Sequence, residues 1–457
     1  MTIKFTLRYL SCPLLIVAFT SCEQFLDEKS DKAFVLPDKV EHVQALLDYH
    51  SVMNQGFSPA GESSSTDYLL PDAVYVALRE DYRHQYTWNP GPTFPNLITG
   101  SNDWATQYQM IYWCNTVLDA LPNIPRSATN VAEWNYVKGQ ALVLRAMRFL
   151  NIASIWAQAF DANTAAQELG IPLRLEADFT QSSSRSTLLD TYNQILKDLH
   201  KSISLLPMAS INCYRVSKPA AYGLLARVYL SMRQYPQAFT YADSCLQLHS
   251  ELMDFNNLSP TSPTPITDLN PENILHATYQ NYPHLLPGTM QIAPELINLY
   301  DTEDLRKEIL FREIEPGTFT LNGQYSGGPS LFAGLSVSEA LLIRAECAAR
   351  AGDVTSAMAD VNHLLAHRIR ADEFVPMTAQ SPQEVLSLVL DERRRELPFR
   401  GLRWIDVKRL NKEGAGITLT REIDGQSHHL PPGDLRYALL IPDDVVEQAG
   451  IAQNPRQ

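Results

Sequence analysis

The sequence predicts a mostly α protein, a scaffold of antiparallel helix pairs with long loop-rich insertions and a few short β-hairpins. Three stretches carry that reading. In residues 220–245, Tyr222 is followed by Leu225, Ala226, Tyr229, Ala238, Ala242 and Cys245, at offsets of 3, 4, 7, 16, 20 and 23. Those offsets place one packed face on each of two helices, and the chain breaks between them at Arg233-Gln234-Tyr235-Pro236. The three alanines let the two backbones approach. This is tetratricopeptide spacing; a plain helical hairpin is the alternative that this segment alone leaves open. One repeat cannot bury its own apolar face, so others are required. Leu341, Ala345, Ala348, Ala357, Val361 and Leu364 supply a second, at 0, 4, 7, 16, 20 and 23, with Gly352-Asp353 at the turn. A third is split, with Leu142, Ala146 and Phe149 on one helix and Ile195 and Leu199 on the other. Leu142 and Ile195 stand 53 positions apart where 16 would do, so roughly 37 residues are inserted. The expected pairs span about 133–207, 217–250 and 336–368.

Composition narrows the function classes. The chain has 457 residues, 45% of them apolar and 19% charged, as in a globular protein with a large core. A net charge of −14 excludes a nucleic-acid binder, because phosphates demand a basic surface. Twenty-nine prolines and 20 glycines imply long ordered loops. Cys114, Cys245 and Cys347 fall inside helical patterns and read as small buried residues. There is no CxxC or Cys/His spacing for zinc, and no cofactor or metal is expected.

In chain order, Lys4 and Arg8 precede an apolar run over 9–19 that is too short to span a bilayer. With Thr20-Ser21-Cys22 following, residues 1–21 read as an export signal, and Cys22 reads as a lipidated first residue or a free thiol after ordinary cleavage. Without the signal the net charge is −16, which several acyl chains can still anchor to a membrane. Residues 22–32 are a polar tether, and 33–457 the folded domain. A helix over 38–49 is expected, with Asp38 as its N-cap. Residues 56–100 are rich in proline, serine and aromatics. There Trp88-Asn89-Pro90-Gly91-Pro92 cannot be helical. Trp88, Asn89 and Tyr86 are candidate ligand-binding residues, since a flat ring stacks on a sugar face while an amide bonds its hydroxyls. The alternative for Trp88 is a plug that holds the loop to the scaffold.

Residues 103–121 are helical, with Trp104 in the core, and helices over 133–160 and 187–206 flank an extended piece at Gly170-Ile171-Pro172-Leu173. Ser217 caps the next helix and Pro219 begins it. Residues 256–334 form the largest non-repeat segment. They hold a strand over 272–279, a hairpin turn at Asn322-Gly323, and two further candidate stacking residues, Tyr282 and Tyr325, in exposed loops, with structural filling as the alternative for both. Residues 391–409, DERRRELPFRGLRWIDVKR, alternate acids with arginines and read as an ion-paired packing element. Asp424-Gly425 marks another hairpin, and His428-His429 a surface loop.

Residues 21–27, 216–230, 339–365 and above all 391–409 resemble the SusD/RagB-like outer-membrane lipoproteins of Bacteroidetes, as does the ending from Leu440-Ile441-Pro442 to Asn454-Pro455. Pro398, Arg400 and Leu402 stand where small, acidic and polar residues are usual in that family. The resemblance implies a lipid-anchored subunit at the outer membrane, facing the exterior. It would bind nutrient glycans and deliver them to a SusC-like TonB-dependent transporter, with its helix pairs toward the transporter and the ligand on loops near 56–100 and 256–334. Capture of peptides or another nutrient, or a protein-binding scaffold, are the alternatives. An enzyme is disfavoured by the lack of a GxSxG, HExxH or P-loop pattern.

Overall fold

The three expected helix pairs form the spine of the protein in the computed structural model, which describes residues 37–96 and 102–456. The expected signal over 1–21, Cys22 and the tether over 22–32 lie outside the described residues. The helices that matter for the site are α1 (Val40–Leu47), α2 (Glu80–Thr87), α3 (Asp103–Ala120), α4 (Val131–Trp156), α5 (Leu188–Ile203), α6 (Lys218–Ser231), α7 (Tyr235–Leu246), α8 (Val337–Arg350), α9 (Val354–Leu365), α10 (Pro382–Glu396), α11 (Leu402–Asn411) and α12 (Asp443–Ala449). Each packs on its neighbour from α3 to α9, and α10 lies against α8 and α9. The alanines that allow close approach, Ala226, Ala238, Ala242, Ala345 and Ala357, are fully buried. This is a tetratricopeptide-like helical scaffold, as the spacing predicts.

Local signals set the helix ends. Gly352 turns the chain with φ of +84°, a conformation glycine adopts without cost, and the Asp353 carboxylate then accepts from the Ser356 N–H to start α9. Ser381 caps α10 by accepting from the Glu384 N–H, and the Glu384 carboxylate accepts in return from the Gln380 N–H. Two expected caps are corrected. Lys39, not Asp38, occupies the N-cap of α1, and Asp38 instead pairs with His42, one turn on. Ser217 does sit at the N-cap of α6, but its hydroxyl makes no capping bond.

Among the described residues, five two-stranded antiparallel ladders decorate this frame. Pairing Tyr68–Leu69 (β1) with Gln291–Ile292 ties the first loop region to the second. Asn273–Leu275, within the expected strand, pairs with Leu335–Ser336. The hairpin Phe311–Glu315 with Thr318–Leu321 turns at Pro316-Gly317; Asn322-Gly323, expected to turn it, lies just past the second strand. The other hairpin, Leu419–Ile423 with Gln426–Leu430, does turn at Asp424-Gly425, where both residues have positive φ as a type I′ turn requires. His428 and His429 lie in its second strand rather than in a loop.

The arginine motif packs as expected. Arg306, fully buried, donates to Asp304, Glu392 and Glu396, and Arg368 donates to Glu272 at 2.6 Å and to Glu396 at 2.9 Å. Arg409 bridges Glu346 and Asp406. Burial pushes the Glu396 carboxyl up, but Arg368 and Arg306 outweigh it and hold it at about 2. These pairs tie Glu272, Asp304, Arg306, Glu346 and Arg368 to the motif, and each charge in them would be costly to bury alone. Cys114, Cys245 and Cys347 are buried free thiols.

Candidate functional site

The rings expected to bind ligand are sealed. Trp88, Tyr86, Tyr282 and Tyr325 are each 3% exposed or less. Trp88 Nε1 donates to the Ser64 carbonyl at 2.9 Å. The Tyr86 hydroxyl accepts from the Leu70 N–H, and its ring lies 3.4 Å beneath the Arg421 guanidinium. Tyr282 donates to Asp103 at 2.8 Å and packs on Tyr82, with ring centroids 4.7 Å apart. Tyr325 donates to Glu272 at 3.0 Å beneath Arg400. Asn89 is exposed, but its side-chain oxygen closes a local turn by accepting from the Gly91 N–H. The expectation that these rings stand open is therefore corrected. Their polar tips are satisfied by buried groups and their faces are covered by guanidinium or aromatic neighbours, so they fasten the loops to the frame.

Open aromatic surface lies elsewhere, in a hollow of about 370 Å³. One wall is α3. Trp104, Tyr108 and Tyr112 stand four residues apart on it, so they form one stripe along a helix face. Trp104 is buried, as expected, with its ring edge-on to Trp156 at 5.2 Å and 4.9 Å from Tyr108. Tyr108 donates to the Pro172 carbonyl at 2.8 Å, and burial holds its phenol well above its usual pKa despite Arg185 and Arg174 nearby. Tyr112 is 43% exposed.

The facing wall is the loop over 172–183, inside the insertion that splits the first helix pair. Arg174 organises it, donating to the carbonyls of Gln181 and Asp178 and to the Ser183 hydroxyl. Asn115 on α3 donates to the carbonyls of Arg174 and Glu176, and Arg145, paired to Asp198 by two bonds of 2.8 Å, donates to the Asn115 oxygen. The loop is thus held from the scaffold. Phe179 projects from its tip, 82% exposed, and Glu176, Gln181 and Gln448 of α12 give the hollow a polar rim. Flat rings on one side and hydrogen-bonding groups on the other suit a polar ligand with apolar faces.

Among the described residues, none of those lining the hollow comes from 56–100 or 256–334. Tyr108, Tyr112 and Phe179 were not among the expected binding residues. The spacing of four between aromatic residues on α3 was the legible signal. Among the described residues, no group of His, Cys, Asp and Glu is arranged to hold a metal ion.

Comparison with known proteins accounts for the architecture. A curated relative, SusD-like protein P38 of Formosa agariphila, is 22% identical over 82% of this chain and 89% of its own length. The crystal structure of a SusD superfamily protein from Bacteroides thetaiotaomicron superposes with a TM-score of 0.73 at 21% identity, covering 92% of this chain and all of that one. A laminarin-binding SusD-like protein superposes at 0.64 with 18% identity, covering 91% and 98%. Two family descriptions match, "SusD-like_3: Starch-binding associating with outer membrane" over residues 24–230 and "SusD family" over 337–428. Together they take in about two thirds of the sequence, including two of the helix pairs and the arginine motif, and the chain belongs to the SusD/RagB family.

Proposed function

We propose that the protein binds nutrient glycans at the cell surface and passes them to a SusC-like TonB-dependent transporter. The observation that carries this reading is the stripe of Trp104, Tyr108 and Tyr112 facing the polar loop over 172–183 in an open hollow. A pyranose stacks its C–H face on such rings and turns its hydroxyls to Glu176, Gln181 and Gln448. The family description and the laminarin-binding relative support a glycan as the ligand. Residues 33–457 act as one binding domain, tethered through lipidated Cys22 to the outer membrane and facing the exterior, with the helix pairs toward the transporter. No bond is made or broken; the protein captures and releases, without a cofactor. A few stacked rings support affinities of about micromolar to millimolar, weak enough for hand-over.

Isothermal titration against maltooligosaccharides, laminarin and a mixed peptide panel tests this. Heat with at least one glycan is expected, weakened by Phe179→Ala. Heat with peptides alone would move the reading to peptide uptake.

A further inference from the structure

The loop that faces the aromatic stripe is bonded to the frame at four successive residues. Asn115 of α3 donates to the carbonyls of Arg174 and Glu176 at 3.0 and 3.1 Å. Arg145 of α4 donates to the Leu175 carbonyl at 3.2 Å. The Ala177 N–H donates to the Asp119 carboxylate of α3 at 2.7 Å. Behind these ties, Arg145 Nη1 donates to the Asn115 oxygen at 2.9 Å, and Asp198 of α5 holds the other edge of its guanidinium. Asn115, Arg145 and Asp198 are all buried. Asn115 lines the hollow, yet both its amide hydrogens are given to the loop, so it has no donor left for a ligand.

Residues 178–183 are bonded differently. Among the described residues, their hydrogen bonds are made within the loop. Arg174 donates to the Asp178 and Gln181 carbonyls and to the Ser183 hydroxyl, and Gln181 donates to Glu176 at 2.8 Å. Phe179 and Gln181, which line the hollow, therefore take their position from residues 174–177, and those take theirs from the frame.

We propose that Asn115, Arg145 and Asp198 are positioning residues for the glycan. They donate nothing to it and set its affinity by holding Phe179 and Gln181 across from Tyr112 before it arrives. This deepens the glycan reading of the hollow and rests on it. A segment ordered only on binding costs affinity, and a segment ordered in advance does not. The Arg145–Asp198 pair also joins the two halves of the split helix pair, so the contact that closes the pair also anchors the insertion between them.

Two substitutions in the full chain, titrated calorimetrically with laminarin and maltooligosaccharides, probe the hold. Asn115→Ala removes two of the four ties, and Asp119→Ala removes a third from an exposed position, where folding is tolerant. Asn115→Ala should weaken glycan binding about tenfold and Asp119→Ala about threefold, while Asp119→Asn, which keeps an acceptor, restores it. In a Phe179→Ala background the Asn115→Ala loss shrinks to about twofold or less, because the ring it places is gone; a merely structural role leaves the two losses additive. Hydrogen exchange on the unliganded protein reads the hold directly and quickens over 175–183 in both variants. Unchanged affinity in folded Asn115→Ala and Asp119→Ala, losses additive with Phe179→Ala, or unchanged exchange would overturn this inference alone. No heat from either glycan with the unmutated protein would overturn the glycan reading, and this inference with it.

Discussion

Trp88 and Tyr112 make an instructive pair. Each is a large aromatic residue on or at the end of a helix, yet Trp88 is 2% exposed and Tyr112 is 43% exposed. Trp88 sits at the end of α2, under the hairpin that carries Arg421. That guanidinium lies over Tyr86 and Tyr68 as well, and it donates to the carbonyls of Ser63, Ser65 and Tyr86. One cation thereby closes a whole aromatic cluster. On α3, the hydroxyl of Tyr108 is satisfied by the scaffold and Trp104 is buried, but among the described residues Tyr112 stays exposed, and the facing loop stands back far enough to leave a cavity. Rings of the same chemistry thus serve as rivets in one region and as an open platform in the other. The difference lies in the neighbours, since a ring covered by a cation and bonded at its polar tip has no face left to offer a ligand.

The largest expected effect comes from breaking the sealed side. Trp88→Ala should cost about 3–5 kcal/mol of stability, the range for emptying a large buried aromatic site, while glycan affinity at the hollow stays unchanged. Chemical denaturation and titration on the same sample check both halves. Loss of affinity without loss of stability would reverse the assignment of the two regions.

A middle-sized effect separates the regions by pH. Two buried carboxyls of the sealed side have their pKa raised. Burial, with Asp67 adding to it, pushes Glu62 up to about 7. Burial pushes Asp103 up to about 6, against the bonds from Ser58 and Tyr282. Both groups bind protons more tightly in the folded state than in the unfolded one. Their stabilising contribution is therefore complete below the ordinary carboxylate range and is lost as pH rises through 6 and 7. Stability should fall by about 1–3 kcal/mol over that window, and Glu62→Gln should flatten its upper part. Denaturation midpoints measured across the window give the slope, and a slope that Glu62→Gln leaves unaltered would refute the assignment.

The smallest effect on folding is expected at the open platform. Tyr112→Ala should leave stability within about 0.5 kcal/mol, as for exposed positions generally, but weaken glycan binding about tenfold. Calorimetric titration beside a melting curve gives both values. A large stability loss would mean that the tyrosine is packed rather than presented.

Much of the frame was readable residue by residue. The offsets of 4, 7, 16, 20 and 23 recur because small and large residues must alternate wherever two helices touch, so they predicted pairs that the fold contains. The arginine motif was readable because acids and bases at helical spacing must pair when buried. Caps were less readable. Asp38 and Ser217 are good cap residues by type, but side-chain geometry left both unused as caps. The expected binding rings were read as open but are buried, because proline-flanked tryptophan looks alike whether it is presented or pinned.

The sequence by itself determined where helices form, which faces they bury and which charges must find partners, since periodicity and spacing act over a few turns of chain. Which aromatic rings remain open was decided by tertiary structure alone. The groups that close Tyr86 and Trp88 arrive from Arg421, more than 300 positions away. The groups that leave Tyr112 free are a loop inserted between the two halves of a split helix pair. Exposure is a property of what arrives from a distance, and no local pattern encodes it.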